Sequence, residues 1–389
     1  MLTGKLVFPS IERIVYGEPA AAALRVEAER LNASRVFLMV SRTMNRTTGE
    51  VAKMRDALGS RYAGLYDSMP SHTPRDAVLE ATRAARAAGA DLIVTFGGGS
   101  LTDAGKVVRL ALQHGIDDLD GFDAFRFRVG TDGVRRNPEY AGPSIRQVSI
   151  PTTLSAGDFN ASAGCTDLRT HAKHSFRHPL LGPSIIILDP APTVHTPLWV
   201  WLSTGIRALD HATEGICSQF ASPLSDMYYV QALKLLSAAL PRVKRNPADL
   251  AARLDCQLAA WLSTAGRIGG AKMGASHAIG HALGGTCGVP HGYTSCVMLP
   301  YVLRYNRSAN AARQALVAEA MGHPGKDAAD VISAFLGELN LPRSLREVDV
   351  TRERFDAIVE HTMHDEWLHS NPRKITSPAQ VLEILDAAA

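Results

Sequence analysis

The apolar residues of the first half of the chain fall into short blocks, separated by alanine-rich stretches of helical period. Residues 35–41 (RVFLMVS), 91–96 (DLIVTF), 147–150 and 184–188 (SIIIL) are runs of strand length with no polar alternation. Such runs predict strands buried on both faces, as in a parallel sheet covered by helices. Helices are expected at residues 49–58 and 75–88, between the strands. After Asp189-Pro190 the pattern changes. From Pro197 onward Ala, Leu and Met recur at the helical period, with few β-branched runs and no low-complexity linker. The expected fold is an α/β domain over residues 1–190 followed by an all-α domain over residues 191–389.

Length and composition narrow the function classes. A chain of 389 residues suits two domains. Its 41 basic and 38 acidic side chains leave a net charge of +3 with no Lys/Arg block, which argues against a nucleic-acid stripe. No apolar run approaches the roughly 20 residues of a membrane span. Lys5, Glu12 and Arg13 interrupt the N-terminal residues, so a secretory signal is not expected and the cytoplasm is. The cysteines at 165, 217, 256, 287 and 296 are odd in number and without a CxxC pair, the pattern of reduced thiols.

Two stretches carry candidate chemistry. Gly97-Gly98-Gly99-Ser100 follows the strand DLIVTF and opens a helical stretch running through Asp103. Glycines allow a close approach to a ligand, and a helix start favours a phosphate, but a plain tight turn has the same sequence. Pro151-Thr152-Thr153, after the strand at 147–150, offers hydroxyls to a phosphate or simply caps a turn. The stronger signal is histidine. His277 and His281 are four apart, on one helix face, and His291 follows a glycine-rich turn; His211 lies in an earlier helical stretch. Imidazoles so grouped can bind a divalent ion, shuttle a proton or stack beside a cofactor ring, and spacing does not separate these roles.

Together these motifs, in this order, resemble the iron-containing (group III) alcohol dehydrogenase family over nearly the whole chain. Phe8-Pro9 with Ile14-Val15-Tyr16-Gly17 resembles its opening, GGGSLTDAGK its cofactor loop, PTT its nicotinamide-side loop and LDP at 188–190 its domain junction. GIRALDHATEG resembles its first ligand helix, and residues 277–292 its H-x3-H-x9-H segment. The resemblance implies a dinucleotide-binding α/β domain, a helical domain, and hydride transfer between NAD(P)H and a carbonyl or alcohol. It places Gly98, Gly99, Ser100 and Asp103 on the cofactor, with Thr152, Thr153 and Lys173 nearby. His211, His277 and His291 would be the metal ligands and His281 would lie beside the nicotinamide. Dimers are common in the family, so a homodimer is expected.

Arg207 departs from that pattern, because the family's metal site has a carboxylate there. Asp210 is offset by about 100° from His211 and is not expected to replace it, whereas Glu214 shares the face of His211. An arginine about 5 Å from a divalent ion costs on the order of 7 kcal/mol at an effective dielectric near 20. A metal-free site is therefore expected, although three histidines and a water can hold zinc. Arg207 itself reads either as a surface ion pair or as a grip on a substrate carboxylate. The maleylacetate reductase branch, which also lacks that carboxylate, is resembled in Asn371-Pro372-Arg373 and in Ser41. In such an enzyme His281 or His277 would donate a proton while Arg207 stabilises charge. Ser41-Arg42 offers no acid to a ribose hydroxyl, so NADPH is expected to serve beside NADH. Two other readings stay open: a metal-dependent alcohol dehydrogenase holding iron or zinc, and a sugar-phosphate cyclase-like lyase or inactive nucleotide-binding homologue.

Overall fold

The computed structural model describes residues 8, 10–129, 135–170 and 172–389. Residues 1–7 and Pro9, which entered the readings of the N-terminus above, lie outside the described residues. The chain divides into two compact units, one of which comprises Phe8–His195; Thr196–Ala389 belongs to the other.

The first unit is built on a parallel sheet. In chain order the strands are β1 (Arg13–Tyr16), β2 (Val36–Val40), β3 (Tyr62–Tyr66), β4 (Leu92–Gly97), the short pair β5 (Arg128–Val129) and β6 (Arg135–Arg136), β7 (Arg146–Pro151), β8 (Ser162–Asp167), β9 (Ala172–Arg177) and β10 (Ile185–Leu188). The main sheet runs β1-β10-β7-β4-β2-β3, with every pairing parallel. β8 and β9 form a separate antiparallel hairpin. The helices are α1 (Ala20–Arg30), α2 (Arg42–Thr47), α3 (Glu50–Leu58), α4 (Arg75–Ala87) and α5 (Gly99–His114).

Alternation along β2 shows why the apolar runs are unbroken. Val36, Leu38 and Val40 pack with Leu24 of α1 and Met54 of α3, while Phe37 and Met39 pack with Val78 of α4 and Val107 of α5. Both faces are covered, so neither can be polar. Helix α5 lies close enough to the sheet that a Cβ on Gly105 would stand 2.5 Å from Thr95 Cγ2 and 2.8 Å from Gln147 Nε2.

The second unit is helical: α6 (Leu198–Cys217), α7 (Pro223–Arg245), α8 (Leu250–Ala265), α9 (Ala275–Cys287), α10 (His291–Ala320), α11 (Ala328–Glu338), α12 (Phe355–Met363) and α13 (Pro378–Ala388). α6 is buried along most of its length, including Arg207, Asp210 and Glu214. Among the described residues, no helix is long and apolar enough to cross a membrane.

Candidate functional site

In the α/β unit, three loops leave the carboxyl ends of neighbouring strands. β4 lies between β2 and β7, and the helices that follow the neighbouring strands β2 and β4, α3 and α5, pack on opposite faces of the sheet, the arrangement at which open α/β sheets bind ligands. Ser41 follows β2 and donates its amide to Phe96 O at 2.9 Å. Thr152 follows β7 and donates its amide to Gly97 O at 2.9 Å. Gly98 therefore sits between Ser41 and Thr152, at the start of α5. At Gly97 a Cβ would stand 2.4 Å from Leu101 Cδ1, so the turn closes tightly only because that atom is absent. Thr153 faces Gly98, with its Cγ2 at 3.3 Å from where a Cβ on Gly98 would stand.

The other residues read as cofactor contacts have structural engagements. Ser100 Oγ accepts the His72 amide at 3.2 Å. Asp103 accepts the Gly164 amide at 3.0 Å, from β8, and lies 3.3 Å from Lys106 Nζ. Lys173, on β9, is exposed, and its stem crosses Gly164. Beneath the loops, the fully buried amino group of Lys106 donates to Gly157 O and Ser162 O, both at 2.7 Å. Burial lowers its pKa, while Asp103 and Asp158 raise it. Lys106 thus ties the helix of the glycine turn to the strand of the hairpin.

The histidine cluster lies in the helical unit. α6 projects Arg207, Asp210 and Glu214 along one stripe, at spacings of three and four residues, toward α9. Glu214 receives the start of α9: Gly274 and Ser276 donate their amides to it at 3.0 and 2.8 Å. Its Oε2 lies 2.7 Å from His277 Nδ1. Asn371, of the Asn-Pro-Arg motif, holds the same helix start, accepting the Ala275 amide at 3.1 Å and pairing with the Asn306 amide group. Asp210 is fully buried and accepts from Ser276 and Ser295 at 2.9 and 2.7 Å.

Arg207 is not at the surface. Its side chain is 10% exposed, with Nη1 3.1 Å from Ser295 Oγ and 3.9 Å from Asp210 Oδ2. This corrects the surface ion-pair reading: the helix stripe that carries Arg207 is the one turned toward α9. Burial lowers the Arg207 pKa, and Asp210 raises it again. Burial also pushes Asp210 up to about 6, against the pull of Arg207. Glu214 is pushed up to about 8, first by burial and then by Asp210. The imidazoles of His211 and His277 stack, with ring centroids 4.8 Å apart. Burial holds both well below their ordinary pKa, and the charge of Arg207 lowers both further.

These facts bear on an ion. Among the described residues, the group whose ligand atoms converge within 4.8 Å is Asp210, Glu214 and His277, a set different from His211, His277 and His291. The offset of Asp210 from His211 is real, but Asp210 shares its stripe with Glu214 and so reaches His277. Ligands at about 2.1 Å around a tetrahedral ion stand about 3.4 Å apart. The 2.7 Å between His277 and Glu214 is instead a hydrogen bond. Two buried nitrogens, His277 Nε2 and His211 Nδ1, have no hydrogen-bond partner among the described residues. Against them stands a guanidinium whose charge acts on both rings and opposes a further divalent cation there. His291 opens α10, exposed, with its ring against Gly284. His281 is exposed and pairs with Asp365, a residue the sequence reading did not single out.

Comparison with known proteins agrees with the motifs. The sequence profile of iron-containing alcohol dehydrogenases matches residues 11–190, and that of the C-terminal part of the Fe-containing alcohol dehydrogenase family matches residues 201–389. The dehydrogenase FUM7 of Gibberella moniliformis is 34% identical over 410 residues, covering 97% of this chain and 96% of its own. Maleylacetate reductase 1 of Cupriavidus pinatubonensis is 28% identical, covering 94% and 92%. The crystal structure of maleylacetate reductase from Agrobacterium tumefaciens superposes with a TM-score of 0.82 at 27% identity, covering 100% of this chain and 98% of its own. The chain belongs to the iron-containing alcohol dehydrogenase family and is an NAD(P)-dependent oxidoreductase.

Proposed function

We propose that the chain reduces the carbonyl of a small carboxylated substrate with NAD(P)H, in the manner of a maleylacetate reductase and without a resident metal ion. The observation that carries this reading is the buried guanidinium of Arg207, whose charge acts on both His211 and His277. A guanidinium has five N–H groups, and Ser295 engages one nitrogen, Nη1. The others can grip a carboxylate through the planar fork or stabilise the alkoxide that forms when hydride reaches the carbonyl carbon. The α/β unit holds the cofactor through Gly98, Gly99, Ser100, Thr152 and Thr153, and His281 supplies the proton. Asp103 and Lys173 support the loop from β8 and β9. Ser41 at the end of β2 places no carboxylate against a 2′-phosphate, so NADPH and NADH both serve. The enzyme works as a cytoplasmic homodimer.

A metal-dependent alcohol dehydrogenase is the second reading. It is favoured by the two buried imidazole nitrogens that lack a partner among the described residues. One assay separates the two. Oxidation of NADH and NADPH is followed with maleylacetate and with simple aldehydes, with and without EDTA, and with Fe²⁺ or Zn²⁺ added back. Turnover of the carboxylated ketone that ignores chelation is the expected result. Aldehyde turnover that vanishes with EDTA and returns with metal would overturn the metal-free reading.

A further inference from the structure

His281 stands one turn beyond His277 on α9, its ring edge-on to that of His277 with centroids 6.4 Å apart. The two rings differ in surroundings. His277 is buried against Glu214, whereas the side chain of His281 is 42% exposed. His281 Nδ1 lies 2.8 Å from Oδ2 of Asp365. That carboxylate is itself fixed: its Oδ1 accepts the Trp367 amide at 2.8 Å, capping the single 3-10 turn Glu366–Ser370, and its side chain is only 16% exposed. The arrangement is a half-exposed ring held by a well-anchored, largely buried acceptor. A carboxylate without its proton can only accept, so Nδ1 must carry the hydrogen and Nε2 is the nitrogen that Asp365 leaves unengaged.

We propose that Asp365 is a positioning residue for the reaction: it fixes the ring plane and tautomer of His281 so that Nε2 is presented to the substrate oxygen. The proposal rests on the carbonyl-reductase reading above, in which His281 supplies the proton. In the step, hydride passes from the nicotinamide to the carbonyl carbon and the C=O π pair moves to oxygen. The ring enters the step as imidazolium, protonated on both nitrogens, and its Nε2–H bond breaks as the O–H bond forms, leaving the neutral Nδ1–H tautomer. Nδ1–H stays on Asp365 throughout, NAD(P)⁺ and the alcohol depart, and water returns a proton to Nε2. Asp365 touches neither substrate nor cofactor in this scheme. It acts by orienting the ring and by opposing the charge of the imidazolium before transfer.

The test is Asp365→Asn in the full-length protein. The side-chain oxygen of asparagine can still cap Trp367, but its amide donates toward Nδ1 and imposes the opposite tautomer. The expected result is a fall in kcat of about 100-fold or more with the KM for NAD(P)H within about twofold of wild type. Asp365→Glu should recover part of that loss, and Asp365→Asn should cost nothing further in a His281→Ala background. A second readout needs no substrate: in protein labelled with ¹⁵N-histidine, the His281 nitrogen shifts should report Nδ1–H in wild type and Nε2–H in the asparagine variant. A kcat for Asp365→Asn within about threefold of wild type, or an unchanged tautomer, overturns the proposal. If the wild-type protein reduces no carbonyl at all, the functional reading fails, and the tautomer measurement still decides whether Asp365 sets the ring.

Discussion

Replacing Arg207 by methionine keeps most of the volume and removes the charge, and the structure gives the cost. Asp210 lies 3.9 Å from Arg207 Nη1 and is fully buried. At an effective dielectric of 20 the attraction is about 4 kcal/mol. The variant does not lose all of it, because Asp210 can escape by taking up a proton. Its pKa, already pushed up to about 6 by burial, rises further once Arg207 no longer opposes that shift. The sign follows from linkage. Below pH 6 the acid is neutral in both folded proteins. Above pH 6 the wild-type acid ionises and the variant's stays protonated while the unfolded chains are ionised, so through Asp210 only the variant keeps losing stability, on top of any slope the two proteins share. The gap opens at about 1.4 kcal/mol per pH unit above 6 and reaches about 2 kcal/mol at pH 7.5. The tryptophans at 199, 201, 261 and 367 all lie in the helical unit, so fluorescence-detected urea unfolding at pH 5.5 and 7.5 reads it directly. A stability gap that is the same at both pH values, or absent at pH 7.5, would refute the account of Arg207 as the partner of Asp210.

Three further outcomes are expected. Glu214, pushed up to about 8 by burial and then by Asp210, retains its proton in the folded state over a range where the unfolded chain has lost it. Wild-type stability should therefore fall from pH 5 to pH 8, and Glu214→Gln should flatten that slope in the same fluorescence assay. Gly105→Ala places a methyl 2.5 Å from Thr95 Cγ2 and should cost about 1–3 kcal/mol by forcing α5 off the sheet, measured as a fall in the unfolding midpoint. Lys106→Met leaves Gly157 O and Ser162 O without their buried donor. It should raise the KM for NADH more than it lowers kcat, because the loop beside the glycine turn loses its tie.

The central strands were legible because both of their faces are buried. Residues 35–41, 91–96, 147–150 and 184–188 overlap β2, β4, β7 and β10, and the helices expected at 49–58 and 75–88 are α3 and α4 to within a residue. The sheet edges were not. β1 (Arg13–Tyr16) is exposed at both ends and β3 (Tyr62–Tyr66, YAGLY) is only partly buried throughout, so neither has the unbroken apolar signature. In the hairpin, β8 alternates buried and half-buried residues of mixed polarity and β9 is mostly half-buried with Lys173 exposed, a pattern that resembles loop. In the helical unit the histidines were visible as a cluster but their partners were not. The angle of Asp210 to His211 hides its part in the site, because the stripe that matters runs Arg207, Asp210, Glu214. Asp365 is 84 residues from His281 in the chain, and no local pattern could join them.

The guanidinium at position 207 also bears on supply. A divalent ion in a protein site is an exchangeable ligand, present only as far as its dissociation constant and the free ion concentration allow. Arg207 is fastened by a peptide backbone to the middle of a buried helix, so its presence beside Asp210 is independent of dilution, chelators or iron scarcity. It is also redox-inert. Ferrous iron in such a pocket reacts with peroxide and can damage the ligands around it, whereas a guanidinium offers no electron to give. On the metal-free reading, this chain would keep its positive charge, and with it its turnover, under conditions that strip or oxidise iron-loaded relatives.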